Sequence, residues 1–298
     1  MLTLPAYAKV NLTLEVLARR DDGYHEIASV LQTISLSDEL SFEPADGIKF
    51  VCHDPSLGKV RYLKEAVLNI VGLLQAETGC RKGTLIRLIR ASIPRSAGLG
   101  SSSSVPAAVL KGLNELWSLG LPLGELSRLA SRIGSDTPFF IYGGTALAEG
   151  RGERITPLYL QSPISNLQSP ICSLPRTWLV LLKPPIDPVP DKTARMYAML
   201  DSSRFTTGAS TQRLVGELQQ GHPLRFEMLC NTFERVVFDF FPQLGEYRQR
   251  FLDTGATSVH LAGAGPTLFT LVSSKTQGEA LASRLNNEGL EAYLVRTV

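Results

Sequence analysis

The most informative segment of the sequence is Ile93-Pro-Arg-Ser-Ala-Gly-Leu-Gly-Ser-Ser-Ser-Ser104. Its glycines let a backbone approach an anion closely, and the apolar residues that follow from Val105 recur at helical spacing. A helix beginning in this loop presents free N–H groups and positive potential to a phosphate. Pro106 suits such a start, because the first helical turn does not need its N–H group. Taken alone, however, the segment is explained better by a flexible loop with a serine N-cap.

The loop lacks the two commonest nucleotide-binding motifs. It contains neither Gly-x4-Gly-Lys-Ser/Thr nor Gly-x-Gly-x-x-Gly followed by a ribose-binding acid. An assignment of the loop therefore depends on residues elsewhere in the chain.

A strand is predicted upstream of the loop, where residues 10–16 alternate strictly between apolar and polar side chains. The pattern is typical of a half-buried strand. It puts Lys9, Asn11 and Thr13 together on the face opposite the apolar one. The simplest alternative for Lys9 is an ordinary solvated strand lysine.

Downstream of the loop, residues 122–133 have the apolar spacing of a helix that ends at Gly134. Asp136 follows on the connector, and functional residues concentrate on such connectors. The simplest alternative for Asp136 is a capping carboxylate after the helix.

The whole chain predicts an α+β fold with two domains, because strands and helices mix without regular alternation. Residues 161–177 are rich in Ser, Pro and Gln, which suits a surface linker or insertion between domains at 1–160 and 178–298. In the second domain, helical patterns are predicted at 192–200, 212–220 and 224–241.

Composition narrows the class of protein. The chain has 298 residues, and its 30 Lys and Arg nearly balance 28 Asp and Glu, so no global field favours nucleic acid or a membrane surface. The N-terminus resembles no targeting segment, and the scattered cysteines suit a reducing compartment, so a cytoplasmic protein is expected. We expect a monomer or a weak homodimer that binds a small molecule.

Four segments together resemble the GHMP kinase superfamily. Its phosphate-binding motif is similar to Pro94-x3-Gly98-Leu99-x-Ser101-Ser102. The other three segments occur in the superfamily's order: Ala8-Lys-Val-Asn-Leu12, Gly134-Ser-Asp-Thr-Pro-Phe-Phe140 and Gly263-Ala-Gly-Pro-Thr267.

This resemblance implies a two-domain GHMP-kinase fold. An N-terminal domain with a mixed sheet and helices and a C-terminal ferredoxin-like α/β sandwich would flank an active-site cleft. ATP and Mg²⁺ would be the cofactors, with the metal ligands left unassigned. The implied ATP-binding residues are Pro94, Ala97, Gly98, Leu99, Gly100, Ser101, Ser102, Ser103 and Ser104.

Within the superfamily, Ala8-Lys-Val-Asn-Leu and Arg20-Asp-Asp-Gly-Tyr-His-Glu26 look like the kinases of 4-diphosphocytidyl-2-C-methyl-D-erythritol, in the non-mevalonate isoprenoid pathway. The resemblance implies phosphorylation of the substrate's 2-hydroxyl, with Asp136 as base and Lys9 as charge stabiliser. It also implies that five residues bind the substrate: Asn11 at the reacting end, and Tyr24, His25, Thr193 and Tyr197 around the cytosine.

The loop departs from the pattern of these kinases. Ser101 and Ser102 replace two glycines, Val105 replaces an aspartate and Pro106 an alanine. The serine-rich loop suggests one alternative, another GHMP kinase of the mevalonate or homoserine type. A second alternative is a nucleotide-binding relative without catalysis.

Overall fold

The computed structural model describes residues 1–52, 60–158 and 176–298. Over these residues the fold is α+β, as the sequence predicts. The strands are β1 Leu2–Arg19, β2 His25–Glu43, β3 Ile48–Cys52, β4 Thr84–Arg90, β5 Thr145–Gly150, β6 Arg154–Pro157, β7 Trp178–Lys183, β8 Cys230–Asn231, β9 His260–Leu261, β10 Leu268–Val272 and β11 Glu291–Arg296. The helices are α1 Val60–Thr78, α2 Ser101–Leu116, α3 Leu123–Ser131, α4 Thr137–Tyr142, α5 Lys192–Ala198, α6 Ala209–Gln219, α7 Val237–Phe240, α8 Leu244–Asp253 and α9 Lys275–Asn287.

The described chain divides into two compact units that interleave along the sequence. The first unit comprises Met1–Ala8, Leu36–Ile93 and Gly100–Tyr142. The second comprises Lys9–Ser35, Pro94–Leu99 and Gly143–Val298. The sequence instead predicts a linear division at a linker over 161–177, most of which lies outside the described residues, so that boundary stays a prediction.

The first unit combines strands with α1 to α4. Strand β4 pairs in parallel with β3 and antiparallel with the second half of β2. Its exit toward the glycine-serine loop is fixed by the fully buried Asp38, whose Oδ1 accepts hydrogen bonds from the N–H groups of Ser92 at 2.8 Å and Ile93 at 2.9 Å. A carboxylate on β2 therefore sets the point from which the loop departs.

The second unit contains the remaining strand pairs. Strand β5 pairs antiparallel with the first half of β2 and with β6, while β1 pairs in parallel with β8. A separate antiparallel sheet has the order β11-β7-β10-β9. Its apolar side chains, including Val180, Leu182 and Leu268, share one buried cluster with residues of α5, α7, α8 and α9.

Strand β1 is longer and more buried than the sequence predicts. The half-buried assignment is wrong, because Lys9, Asn11 and Thr13 on the polar face are as buried as the apolar residues between them. Helix α6 supplies part of this cover: the N–H group of Thr211 donates to the buried Glu15 carboxylate at 2.7 Å. An acidic side chain near the first turn also suits the positive end of a helix.

The continuous helix predicted over 224–241 is also wrong. This stretch forms a short 3₁₀ turn at Phe226–Met228, strand β8, a second 3₁₀ turn at Thr232–Arg235 and α7. The side chain of Asn231 accepts a hydrogen bond from the N–H group of Phe233 at 3.0 Å, which caps the second turn. Asn favours such local bonding over a helix interior.

Candidate active site

Lys9 lies at the junction of β1 with the glycine-serine loop. Its side chain is only 5% exposed, and its Nζ donates to Oδ1 of Asn11 at 2.6 Å. Its backbone N–H group donates to the carbonyl of Leu99 at 3.0 Å. A buried ammonium group is retained only where polar partners compensate for the lost water. The solvated alternative for Lys9 is therefore wrong.

Asn11 joins Lys9 to a buried polar chain. Its amide group donates to Oγ of Ser29 at 2.8 Å, and that hydroxyl donates to the carbonyl of Thr13 at 2.5 Å. The Thr211 hydroxyl of α6 continues the chain by donating to Oγ1 of Thr13 at 2.9 Å. The carbonyl and amide ends of Asn11 are thus both engaged, which fixes its orientation beside Lys9.

The loop packs directly on the turn between β9 and β10. Gly98 has φ of 83°, and a Cβ atom there would lie 2.1 Å from the carbonyl oxygen of Ala262. At Gly263, with φ of 55°, a Cβ atom would lie 2.7 Å from the carbonyl oxygen of Gly98 and 3.1 Å from Nζ of Lys9. Only glycine fits either position. The turn therefore brings two backbones and the Lys9 ammonium group together.

The side chains of Asn231 and Glu234 form hydrogen bonds with the backbone of this turn. Nδ2 of Asn231 donates to the carbonyls of Leu261 at 3.0 Å and Gly263 at 2.8 Å. Oε1 of Glu234 accepts from the N–H group of Leu261 at 2.9 Å, and burial raises the pKa of this carboxyl group. Both residues support the turn beside Lys9.

Lys192, at the start of α5, is a functional candidate that the sequence analysis misses. It is 8% exposed, and its Nζ donates to the carbonyl of Ser96 at 2.8 Å and also to the carbonyl of Gly265. Burial lowers the pKa of Lys192 to about 8, and the positive charge of Lys9 adds to this effect. In the sequence it is one lysine at a helix start, so no pattern distinguishes it from a surface residue.

The second half of the loop belongs to the first unit. Gly100, with φ of 79°, precedes α2 and offers no side chain to cap it. Ser101 and Ser104 are buried, and the Ser104 hydroxyl donates to the carbonyl of Tyr7 at 2.6 Å. Ser102 is exposed beside the same helix start. The helix start therefore retains the backbone groups that suit an anion.

Asp136 lies on the predicted connector, between α3 and α4, and is half-buried there. The connection is tight: the N–H group of Thr137 donates to the carbonyl of Gly134 at 3.3 Å. A Cβ atom at Gly134 would lie 3.2 Å from Oγ1 of Thr137 and 3.9 Å from Oγ of Ser103. Within the first unit, the Asp136 connection thus neighbours the start of α2.

Two of the four predicted cytosine-binding residues meet in the second unit. The rings of His25 and Tyr197 stack with centroids 4.7 Å apart and 18° between their planes. Burial lowers the pKa of His25, and the positive charge of Arg19 acts in the same direction. The imidazole is consequently neutral at pH 7, with one nitrogen donating and the other accepting.

The other two predicted cytosine-binding residues are exposed. Tyr24 is 50% exposed, and the guanidinium group of Arg151 lies 4.9 Å above its ring centre. Thr193 is exposed on α5, one helical turn before Tyr197. The substrate-binding role of these four residues stays a prediction.

Neither metal ligands nor a membrane span can be assigned from the described residues. Over 1–52, 60–158 and 176–298, no three His, Cys, Asp or Glu side chains form a group able to hold a metal ion. No helix in these same ranges has the length and apolar character needed to cross a membrane.

Comparison with known proteins identifies the family. The pattern of the GHMP kinases N terminal domain matches residues 61–144, and that of the GHMP kinases C terminal domain matches 214–291. A Dehalococcoides mccartyi protein named 4-diphosphocytidyl-2-C-methyl-D-erythritol kinase is 44% identical over 100% of this chain and 99% of its own length. A relative of the same name from Symbiobacterium thermophilum is 37% identical over 99% of each chain.

Solved structures agree with the sequence comparison. A crystal structure of 4-(cytidine 5'-diphospho)-2C-methyl-D-erythritol kinase superposes with a TM-score of 0.79 at 30% identity, covering 99% of both chains. A homoserine kinase from Cytophaga hutchinsonii shares the fold with a TM-score of 0.66 at 17% identity, over 98% of this chain and 95% of its own. The chain therefore belongs to the GHMP kinase family, within the group of relatives named 4-diphosphocytidyl-2-C-methyl-D-erythritol kinase.

Proposed function

We propose that this kinase transfers the γ-phosphoryl group of ATP to the 2-hydroxyl of 4-diphosphocytidyl-2-C-methyl-D-erythritol, a step of the non-mevalonate isoprenoid pathway. The observation that carries the proposal is the buried ammonium group of Lys9. It is held by Asn11 at 2.6 Å and lies beside the backbones of Gly98 and Gly263. The full-length similarity to relatives that carry this substrate in their names supports the choice of acceptor.

In this proposal Asp136 accepts the proton of the 2-hydroxyl as the hydroxyl oxygen attacks the γ-phosphorus. A new oxygen–phosphorus bond forms, the bond from the γ-phosphorus to the bridging oxygen breaks, and ADP leaves with that electron pair. Lys9 stabilises the negative charge on the transferring group. Such transfers depend mainly on positioning and electrostatic stabilisation, and these two residues supply both.

The loop would hold the nucleotide. Gly98 and Gly100 have positive φ, which permits close backbone approach, and the start of α2 offers N–H groups to phosphate oxygens. Mg²⁺, when bound, would neutralise negative charge on the phosphates during the transfer. Since Mg²⁺ prefers oxygen ligands and keeps several waters, the exposed Ser102 hydroxyl suits a site completed by the phosphates.

The substrate's cytosine would bind at the other group of residues. His25 offers a ring and both hydrogen-bonding roles, Tyr197 supplies a stacking face, and Tyr24 is exposed enough to cover a base. Thr193 would bind on the same face of α5 as Tyr197.

Replacing Asp136 by Asn tests the proposal. The amide keeps the shape but cannot accept the proton, so kcat should fall by about 100-fold or more in a coupled ADP-release assay. Binding of a non-hydrolysable ATP analogue should change little. The exposed Asp46 provides a matched Asp46→Asn control, which should behave as the parent enzyme.

The same assay distinguishes the acceptor. The cytidylyl substrate, mevalonate and homoserine are offered in parallel at equal concentration. Turnover of mevalonate or homoserine, with none of the cytidylyl compound, would refute the proposed acceptor. An Asp136→Asn enzyme with an unchanged rate would remove Asp136 from the mechanism.

A further inference from the structure

Lys192 is hydrogen-bonded to two segments that lie far apart in the sequence. Its Nζ donates to the carbonyl of Ser96, on the glycine-serine loop, and to the carbonyl of Gly265, on the β9–β10 turn. The loop and the turn also share a weak bond from the N–H group of Thr267 to the carbonyl of Ala97 at 3.4 Å. The ammonium group thus adds two charge-assisted hydrogen bonds that join the two segments.

One of the two hydrogen bonds of Lys192 is made to Ser96, a loop residue with an unusual backbone conformation. Ser96 has φ of 55°, a left-handed conformation that is strained for a non-glycine residue. Gly98 follows two residues later, in contact with the turn. A donor fixed on the Ser96 carbonyl therefore holds the strained residue, and with it the backbone that approaches the phosphates.

Charged groups of both signs lie around Lys192. Lys9 is its charged neighbour on β1. Arg95, Lys183 and Asp187 line a cavity of about 10 Å³ next to it, and Lys183 is itself paired with Glu291 at 2.6 Å. A second positive charge near Lys9 is unfavourable in the empty protein. It becomes favourable when an anion binds there.

We propose that Lys192 is a positioning residue for phosphoryl transfer, fixing the glycine-serine loop on the β9–β10 turn and adding positive charge beside Lys9. The inference rests on the proposed function for its kinetic readout. The carbonyl groups of Ser96 and Gly265 would be left without their ammonium donor if Lys192 were replaced by an apolar residue.

The first test compares Lys192→Met and Lys192→Arg with the matched control Lys275→Met, since Lys275 is exposed on α9 and pairs with Glu279. We expect Lys192→Met to lower kcat and to raise the Kd of a non-hydrolysable ATP analogue by about tenfold each. Lys192→Arg should recover most of both, because it keeps the charge and the donors. Lys275→Met should match the parent enzyme.

A pH profile separates this role from a merely structural one. Because burial and Lys9 lower the pKa of Lys192 to about 8, the ammonium charge is lost as pH rises through that value. The value belongs to the enzyme without nucleotide, so kcat/KM for ATP of the parent enzyme should fall above about pH 8. Lys192→Arg should shift this fall upward because a guanidinium group stays protonated.

Two results would overturn the inference. One is a folded Lys192→Met enzyme whose kcat and analogue Kd both stay within about twofold of the parent values. The other is a fall in activity at alkaline pH that occurs at the same pH in the parent enzyme and in Lys192→Arg. This pH comparison tests the inference even if the Lys192→Met variant does not fold. A parent enzyme that binds the analogue but phosphorylates none of the acceptors would refute the proposed function instead, and analogue binding by the variants would still test Lys192.

Discussion

The imidazole of His25 and the ring of Tyr197 cover one another, and Tyr197 also packs edge-on against Phe233 at 4.8 Å. Tyr197 therefore also packs against the hydrophobic core of the second unit. If the proposed substrate binds here, its cytosine ring would stack on the remaining surface of this pair or insert into it. In either case the aromatic face matters more than the phenolic hydroxyl.

Replacing Tyr197 by Leu should raise KM for the cytidylyl substrate by about fivefold, since an aromatic contact contributes about 1 kcal/mol beyond its area. Replacing it by Phe should leave KM within about twofold. Steady-state kinetics with the acceptor varied at saturating ATP would measure both. If the Phe variant lost as much as the Leu variant, the hydroxyl and not the ring would be the binding group.

Sequence periodicity predicts neighbours along one strand but not across the fold. The alternation of β1 correctly put Lys9 and Asn11 on one face, and their side chains are hydrogen-bonded. Lys192 escaped prediction because its partners, Ser96 and Gly265, are 96 and 73 residues away in the sequence. Its chemistry arises from burial, and a lone lysine gives no periodic signal of burial.

The glycine-serine loop and the β9–β10 turn form a backbone contact that a single methyl group should break. Gly98→Ala would combine a positive φ with a Cβ atom 2.1 Å from the carbonyl oxygen of Ala262. Gly120→Ala is the matched control, because Gly120 has φ of 68° and no atom within 4 Å of the place that a methyl group would occupy.

We expect Gly98→Ala to raise KM for ATP by more than about tenfold and to lower the melting temperature. Gly120→Ala should cost only about 1–2 kcal/mol of stability, from its backbone strain, and leave KM for ATP unchanged. ATP titrations and thermal unfolding of both variants would measure this. Equal effects of the two replacements would show that strain alone, and not the contact with Ala262, is responsible.

Helices with a clear periodic pattern of apolar residues were predicted well. A segment whose conformation depends on the hydrogen bonds of one side chain was not. The helix expected over 122–133 is α3 Leu123–Ser131, and the helix expected directly after the loop is α2. The stretch 224–241 carries many apolar residues at helical spacing, yet the side chain of Asn231 caps a 3₁₀ turn within it. Nδ2 of the same side chain donates to the carbonyls of Leu261 and Gly263, so partners about 30 residues away in the sequence also orient it.

The stability of the whole protein should depend on pH through His260. Burial lowers the pKa of His260 to about 4, and the charge of Arg248 acts in the same direction. Its Nε2 is buried and has no hydrogen-bond partner among the described residues. As pH falls from about 6.5 to about 4, the histidine is protonated in the unfolded chain but stays neutral in the folded protein. The free energy of unfolding therefore decreases over this pH range, by up to about 3 kcal/mol.

Urea unfolding at about pH 7.5 and pH 5 would measure this loss. Glu234, whose Oε1 lies 3.8 Å from Nδ1 of His260, has a raised pKa and contributes in the opposite direction. A His260→Gln variant isolates the histidine: stability should decline less on acidification than in the parent protein. Parallel declines would mean that other groups determine the acid sensitivity.

At the scale of the molecule, the sequence predicted the α+β class from its mixture of elements and the family from four separated motifs, and both are confirmed. It did not predict that the compact units interleave. Strands β1 and β2 each contribute to both units, and hydrophobic patterning along a strand carries no mark of where one unit ends and the next begins.

The hydrogen-bonded chain from Lys9 through Asn11, Ser29 and Thr13 to Thr211 also constrains how this protein can evolve. Asn11 donates to Ser29, and Thr13 accepts from Ser29 at its carbonyl and from Thr211 at its hydroxyl. A change at one position is therefore expected to alter the effect of a change at another. A substitution that is harmful alone is then expected to be less harmful after a compensating one elsewhere in the chain. The order in which mutations arise, and not only their identity, therefore decides which relatives of this kinase are reachable.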